Sequence, residues 1–431
     1  MTSPSWTVFP GAHRPRFLHV NATATGGGVS ELLGGLVPAQ RTCGVAAGWA
    51  VIGGDPAFYT VTKLLHHLLH GTGDPHRLDD PALIGAYRAA LRPQVAWFAE
   101  QVGHGDVVVL HDPQTLGLAA GLRATGATMI WHCHIGADVA PERGPGAVWR
   151  TFAYDFASVD AVITTLPEFG PPRHLVRDQF VVPPAIDPTA EKNRELTAAE
   201  VDAVLDEIGL TSARPATGYA TVTQDGPMPR DARMVLQVSR WDPLKDMPGV
   251  LRCVVGLPPD VHLVLAGTDP TEVSDDPEGL AVLAEVRAAV ARLSTVDRRR
   301  VHLVTSRTRP ANKGALMVNA LQRRADVVLQ KSLEEGFGLT VTEAMVKGRA
   351  VVASDVGGLA HQIVHGDNGL LVDPVDVDGV RGTLVALLGD PVLRRRLGER
   401  ARVTALERYT MARLVDDYRA VVTATAGGRV A

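Results

Sequence analysis

Short runs of β-branched and aliphatic residues recur along this chain, each followed by a longer amphipathic stretch. That alternation restricts the fold more than any other feature. "RFLHVNA" (16–22), "AAGWAVIGG" (46–54), "DVVVLHD" (106–112), "TMIWHCHI" (128–135) and "AVITTLP" (161–167) read as strands, and "VSELLGGLVPAQRTCG" (29–44) as a helix ending at a glycine. Such unbroken apolar runs belong to parallel strands covered on both faces. Their repetition with helical segments predicts a doubly wound α/β domain. A second series follows: "MVLQVSR" (234–240), "VHLVLAG" (261–267), "RVHLVTS" (300–306), "ADVVLQK" (325–331) and "AVVASDV" (350–356). Helical patterns cover 277–296 and 314–325, and a helix pair over 378–409 breaks near Asp390-Pro391.

Two series in 431 residues suit two α/β domains. The expected division is an N-terminal Rossmann-like domain over 1–185, a second over 186–410, and a last helix (411–431) crossing back to the first. "FVVPPAIDPTAEKN" (180–193), with three prolines, reads as the hinge, and 211–231, poor in apolar anchors, as an exposed loop. Two such domains predict a ligand cleft between them, at the carboxyl ends of the strands.

Composition excludes several classes of function. A net charge of −4 leaves no basic excess for binding a nucleic-acid backbone. Three widely separated cysteines, Cys43, Cys133 and Cys253, suit neither a disulfide framework nor a zinc site and fit a reducing cytoplasm. The expectation is a cytoplasmic protein with no signal peptide and no membrane insertion, since no apolar run approaches 18 residues.

Four groups of residues can carry chemistry. Gly26, Gly27 and Gly28 follow a strand and precede a helix, where backbone can approach a ligand and a helix N-terminus can face an anion; a flexible connector is the plainer alternative. In "SRWDPLKD", Arg240 and Lys245 sit just past a strand end, placed either to clamp a diphosphate or as solvated loop charges. In "EEGFGLTVTEAMVKG", Glu335 precedes a Gly336-Phe337-Gly338 turn, and Leu339, Thr340 and Glu343 begin a helix. The two glutamates read either as an acid pair or as one turn residue and one helix acid favoured by the dipole. His111, with Asp112 beside it, and His132 and His134 stand at strand ends. The last two share a strand face in a spacing that suits zinc, but no carboxylate or cysteine is placed to complete a site. "HHLLH" (66–70) lies in a helical pattern and reads as structural.

With these residues assembled, the chain resembles the retaining glycosyltransferases of family 4, which have the two-domain GT-B fold. The resemblance rests on "SRWDPLK", on the seven residues between Glu335 and Glu343, and on "SDVGGLAHQIVHGDNGLLVDP". Within that family, "HVNATATGGGVSELLGGLVP", "VLHDPQTLGL", "WHCHIG" and "PPAIDPTAEKN" are similar to the glycosyltransferring trehalose synthases, over about 16–420.

The resemblance implies a transfer of glucose from ADP-, UDP- or GDP-glucose to glucose, forming α,α-trehalose. A cyclitol or secondary-metabolite acceptor is the alternative, motivated by His132 and Gly136. A binding protein without transfer activity, or a phosphorylase, is the reading from another class. Implied catalytic residues are Arg240, Lys245, Glu335 and His134. Gly27, Gly28, Gly336, Phe337, Gly338, Leu339, Thr340 and Glu343 would hold the donor, with Glu343 on the ribose. His111, Asp112, His132 and Asp138 are acceptor-side candidates. No cofactor and no essential metal are expected, because Arg and Lys can neutralise a diphosphate. The expected partners are a sugar nucleotide and a sugar acceptor, with a homodimer as the assembly.

Overall fold

A computed structural model describes residues 5–6, 16–24, 28–212, 218–272, 277–307 and 310–427. The chain divides into two compact units, Met1–Ala185 with Met411–Ala431, and Ile186–Thr410. Each holds one seven-stranded sheet.

In the first unit the strands are β1 (Ser5–Trp6), β2 (Arg16–Asn21), β3 (Ala46–Val51), β4 (Val107–His111), β5 (Thr128–Cys133), β6 (Ala161–Thr164) and β7 (Asp178–Val181). They lie in the order β1-β3-β2-β4-β5-β6-β7, with all neighbours parallel except β1 and β3. The chain winds outward from β2 to β3, then returns to lay β4 on the other side of β2. This reversal is a topological switch point, where loops at the carboxyl ends of adjacent strands part and leave room for a ligand.

The second unit repeats the design. Its strands are β8 (Ala220–Thr223), β9 (Arg233–Val238), β10 (Val261–Thr268), β11 (Val301–Ser306), β12 (Val327–Gln330), β13 (Ala350–Ser354) and β14 (Leu370–Val372). They lie in the order β14-β13-β12-β9-β10-β11-β8, parallel except for β8 against β11. The switch point falls between β9 and β12.

Both faces of each sheet are covered, which is why the strands carry no polar alternation. On β4, Val108 and Leu110 pack with Phe58, Tyr87 and Phe98, while Val107 and Val109 pack with Leu33 and Leu36 on the opposite face. That second face also takes Leu414, Val415, Tyr418 and Val421 of the helix Met411–Gly427. The break at Asp390 has a clear cause: its carboxylate accepts from the Val392 and Leu393 amides and caps the helix that starts at Pro391.

Two expectations need correction. Residues 211–231 are not simply an exposed loop: within the described part, β8 adds an edge strand, and Tyr219, Ala220 and Met228 are buried. An edge strand needs only a few anchors because one neighbour supplies its backbone hydrogen bonds. The expected hinge begins later than 180, since β7 runs through Val181. Among the described residues no helix is long and apolar enough to cross a membrane.

Candidate functional site

In the second unit, the loops after β9 and β12 meet at the switch point. The β9 loop makes a short helical turn, Pro243–Lys245, capped by Asp242, whose carboxylate accepts from the Leu244 amide at 2.8 Å. This turn carries Lys245 Nζ to 2.8 Å from Glu335 Oε1, with both side chains largely buried. Glu335 Oε2 accepts from Ser332 Oγ at 3.1 Å. Arg240 takes a different direction: it is exposed and pairs with Asp242 at 3.0 Å.

Three residues absent from the sequence reading hold this loop. Gln237 donates from Nε2 to the Lys245 carbonyl at 2.7 Å and accepts the Lys331 amide at 2.8 Å, tying the ends of β9 and β12 together. Lys331 is buried and its ammonium pairs with Asp246. Asp246 has φ of 41° and accepts from the Gly249 amide at 3.0 Å, capping the helix Met247–Val254. A left-handed aspartate is a strained conformation, sustained here by the lysine and the helix start.

The turn after Glu335 depends on glycines for a steric reason. Gly338 has φ of 89°, and a Cβ there would sit 2.5 Å from Leu359 Cδ2. A Cβ on Gly357 would approach the Glu335 carbonyl oxygen to 2.1 Å. Gly358 donates its amide to that same oxygen at 3.1 Å, and Gln362 donates to the Phe337 carbonyl. The turn delivers the helix Leu339–Val346 with Gly338 as N-cap and no side chain on its first amides. Amides of Leu339 and Thr340 thus stand at a helix N-terminus suited to an anion.

Glu343 is no exposed helix acid: it is 2 % exposed, its Oε1 lies 3.2 Å from Lys192 Nζ, and its buried Oε2 has no hydrogen-bond partner among the described residues. A buried carboxylate oxygen left without a donor is costly and needs one. Behind it Lys347 donates to the Glu343 carbonyl at 2.9 Å, Asn193 Oδ1 at 2.9 Å and Gln322 Oε1 at 2.8 Å, and burial lowers its pKa to about 7. Glu335 and Glu343 therefore face different lysines and do not form an acid pair.

In the first unit, the ends of β4 and β5 gather histidines, with His111 in register with His132. His111 and His132 are buried and His134 is half-buried, so only His134 among the three offers surface. Asp112 accepts the His134 amide at 2.8 Å and has φ of 61°, a second strained aspartate. Burial raises its pKa to about 7. Asp138 is exposed. Gly28 opens the helix Gly28–Thr42, while Gly26 and Gly27 lie outside the described residues.

The cluster extends beyond what the sequence reading assembled. His19 Nδ1 lies 3.0 Å from His111 Nε2, His19 Nε2 lies 3.0 Å from Gln40 Oε1, and His111 Nδ1 lies 2.9 Å from His134 Nε2. His132 Nδ1 meets Tyr418 Oη at 2.5 Å, and His132 Nε2 has no hydrogen-bond partner among the described residues. Ring nitrogens of His111, His132 and His134 lie within 4.8 Å of one another, close enough to consider a metal ion. The 2.9 Å separation between His111 and His134 is a hydrogen bond, however, so those two nitrogens already serve each other.

Burial holds all these rings neutral: His19 falls to about 4, His134 to about 3, and His111 and His132 well below the ordinary histidine value. In the unfolded chain they take up protons near pH 6.5. Folded pKa values below the unfolded ones mean the unfolded state binds more protons as pH falls through that window. Stability is therefore full above about pH 6.5 and is lost toward pH 4, at up to about 1.4 kcal/mol per pH unit for each buried ring. Asp112, whose folded pKa is raised, opposes this as a single group. The urea midpoint is expected to fall clearly from pH 7 to pH 5; an unchanged midpoint would contradict neutral burial.

Residues 19–171 match the family model for the trehalose synthase N-terminal domain, and residues 312–404 match glycosyl transferases group 1. The trehalose synthase of Rubrobacter xylanophilus is 34% identical over 407 residues, covering 93% of this chain and 88% of that protein. The chain belongs to the trehalose synthase family. The trehalose synthase of Pyrococcus horikoshii is 31% identical over 95% of this chain and 90% of its own length. Among solved structures, a UDP-forming α,α-trehalose-phosphate synthase from Burkholderia xenovorans superposes with a TM-score of 0.71 at 16% identity, covering 96% of this chain and all of the other. The two Rossmann-like sheets are thus those of a GT-B glycosyltransferase. The histidine cluster from His19 to His134 lies inside the trehalose synthase match, and Glu335 to Glu343 inside the group 1 match.

Proposed function

We propose that this member of the trehalose synthase family is a retaining family 4 hexosyltransferase that moves glucose from a nucleoside diphosphate to free glucose, forming α,α-trehalose. The observation that carries the reading is the meeting of Lys245 and Glu335 at the β9/β12 switch point, beside a helix N-terminus with no side-chain cap. Breaking a glycosyl–phosphate bond builds negative charge on the departing diphosphate and positive charge on the sugar. A fixed ammonium and open helix amides favour the first without reorganisation. Glu335, held by Lys245, would accept from donor-sugar hydroxyls, and the buried Glu343 Oε2 would accept from a ribose hydroxyl. His134 would face the transferred sugar.

Retaining hydrolases use two carboxylates about 5 Å apart across the bond. Glu335 and Glu343 are each committed to a separate lysine, which supports front-face transfer instead. The sugar C1–phosphate bond breaks as the bond from the acceptor oxygen to C1 forms on the same face, and the acceptor's proton passes to the departing phosphate oxygen. In this reading Lys245 stands where a metal would otherwise neutralise charge, so no cofactor or essential metal takes part. The enzyme would work in the cytoplasm as a homodimer on small molecules, without nucleic acid or membrane.

Incubation with glucose and ADP-, UDP- or GDP-glucose is expected to yield α,α-trehalose from at least one donor. Absence of product with all three would sink the proposal, and product only with a cyclitol or other acceptor would reassign the acceptor. Glu343→Ala is expected to weaken binding of the free nucleoside diphosphate about 10- to 100-fold by calorimetry, the range for losing a hydrogen bond to a charged group. Unchanged affinity would remove Glu343 from the nucleotide.

A further inference from the structure

We propose that Gln40, His19 and His111 form a one-way hydrogen-bond chain that fixes the tautomer of His134 and makes its remaining nitrogen, Nδ1, a hydrogen-bond acceptor. Four elements contribute one link each: the helix Gly28–Thr42, β2, the end of β4, and the residue after β5. The three contacts, from Gln40 Oε1 to His19 Nε2, His19 Nδ1 to His111 Nε2, and His111 Nδ1 to His134 Nε2, measure 3.0, 3.0 and 2.9 Å.

The direction follows from the chemistry of the end group. A carboxamide oxygen only accepts, and a neutral imidazole carries one N–H and one lone pair. His19 Nε2 therefore bears the hydrogen, and His19 Nδ1 is a lone pair. His111 must then donate from Nε2, leaving its Nδ1 to accept. His134 donates from Nε2, and its Nδ1 is left as a lone pair. An additional proton on His19 Nδ1 or His111 Nδ1 would set two N–H groups against each other, and the depressed basicity of all three rings, His134 included, agrees with a neutral chain. Packing confines the rings: Tyr418 lies edge-on to His19 at 5.4 Å between centroids, and His132 lies against His134 at 3.9 Å.

Gln40, His19 and His111 are buried. They are positioning residues that act through His134. The inference rests on the reading that His134 faces the transferred sugar: an acceptor nitrogen receives a sugar hydroxyl proton and disfavours a bare phosphate or carboxylate oxygen.

Long-range 1H–15N spectra of histidine-labelled protein at neutral pH report each ring's tautomer without reference to activity. Wild-type protein is expected to show His19, His111 and His134 all as the Nε2–H form. Any of the three as Nδ1–H or as imidazolium overturns the chain. Gln40→Met removes the terminal acceptor and is expected to alter all three rings together; a change confined to His19 also overturns it. In steady-state kinetics Gln40→Met is expected to raise the donor KM about tenfold with kcat nearly unchanged, the size of one hydrogen bond. His19→Gln, which keeps one donor and one acceptor in line, is expected to retain most of the wild-type KM, whereas equal loss in both variants would reduce the chain to packing. Wild-type tautomers as expected, with no response of the His134 nitrogens to added sugar nucleotide, would uphold the chain and overturn the sugar-facing reading.

Discussion

Lys245→Ala is expected to lower kcat by about 10²- to 10³-fold, the cost of removing one preorganised group from a developing oxyanion. Donor affinity is expected to change far less if, as proposed, the ground-state diphosphate is held by the helix amides and the nucleoside by Glu343. The structure gives a reason for this separation. Lys245 is tied through its carbonyl to Gln237 and through its ammonium to Glu335, so its position is set before any ligand arrives. A preset charge gains most where charge develops during reaction. Single-turnover and binding measurements on the same variant check this. A turnover within a few-fold of wild type would remove Lys245 from the transition state.

The second large effect is on stability. Lys331 is buried at the end of β12 and its pairing with Asp246 is nearly desolvated. Removing Lys331 leaves the Asp246 carboxylate with only the Gly249 amide and Arg252 at 3.8 Å, at a cost of up to about 3–5 kcal/mol. Lys331→Met is therefore expected to lower the denaturant midpoint substantially. The double variant with Asp246→Asn is expected to recover part of the loss, because no charge is then stranded. Full additivity of the two single changes would show that the pair is not coupled. Since Asp246 holds a left-handed backbone beside Lys245, Lys331→Met should also reduce turnover in protein that remains folded.

Most strands were legible because buried parallel strands show as unbroken apolar runs. The misread of 211–231 has a specific cause. β8 has one neighbour, and only Ala220 within it is buried, with Tyr219 and Met228 beside it in the segment, so counting apolar residues does not detect so short an edge strand. In the site, Lys245, Glu335 and Glu343 stood out at a strand end and around a glycine turn, but local spacing left their roles open and only the family resemblance implied them. Their supports were not. Lys331 at a strand end reads as a solvated cation, and Lys192 sits in a proline-rich segment that reads as linker. His19, Gln40 and Tyr418 meet the other histidines only because the sheet order sets β2 beside β4 and the last helix returns to this unit. Such contacts depend on topology, and no window of sequence contains them.

The return of the helix Met411–Gly427 to the first unit also bears on synthesis. Leu33, Leu36, Val109 and Ile163 form a hydrophobic face that this helix completes with Leu414, Val415 and Tyr418. A nascent chain makes the whole of 186–410 before that cover exists. At about 5–20 residues per second, the face waits on the order of ten seconds or more, an interval in which a ribosome-bound chaperone would have an apolar surface to hold.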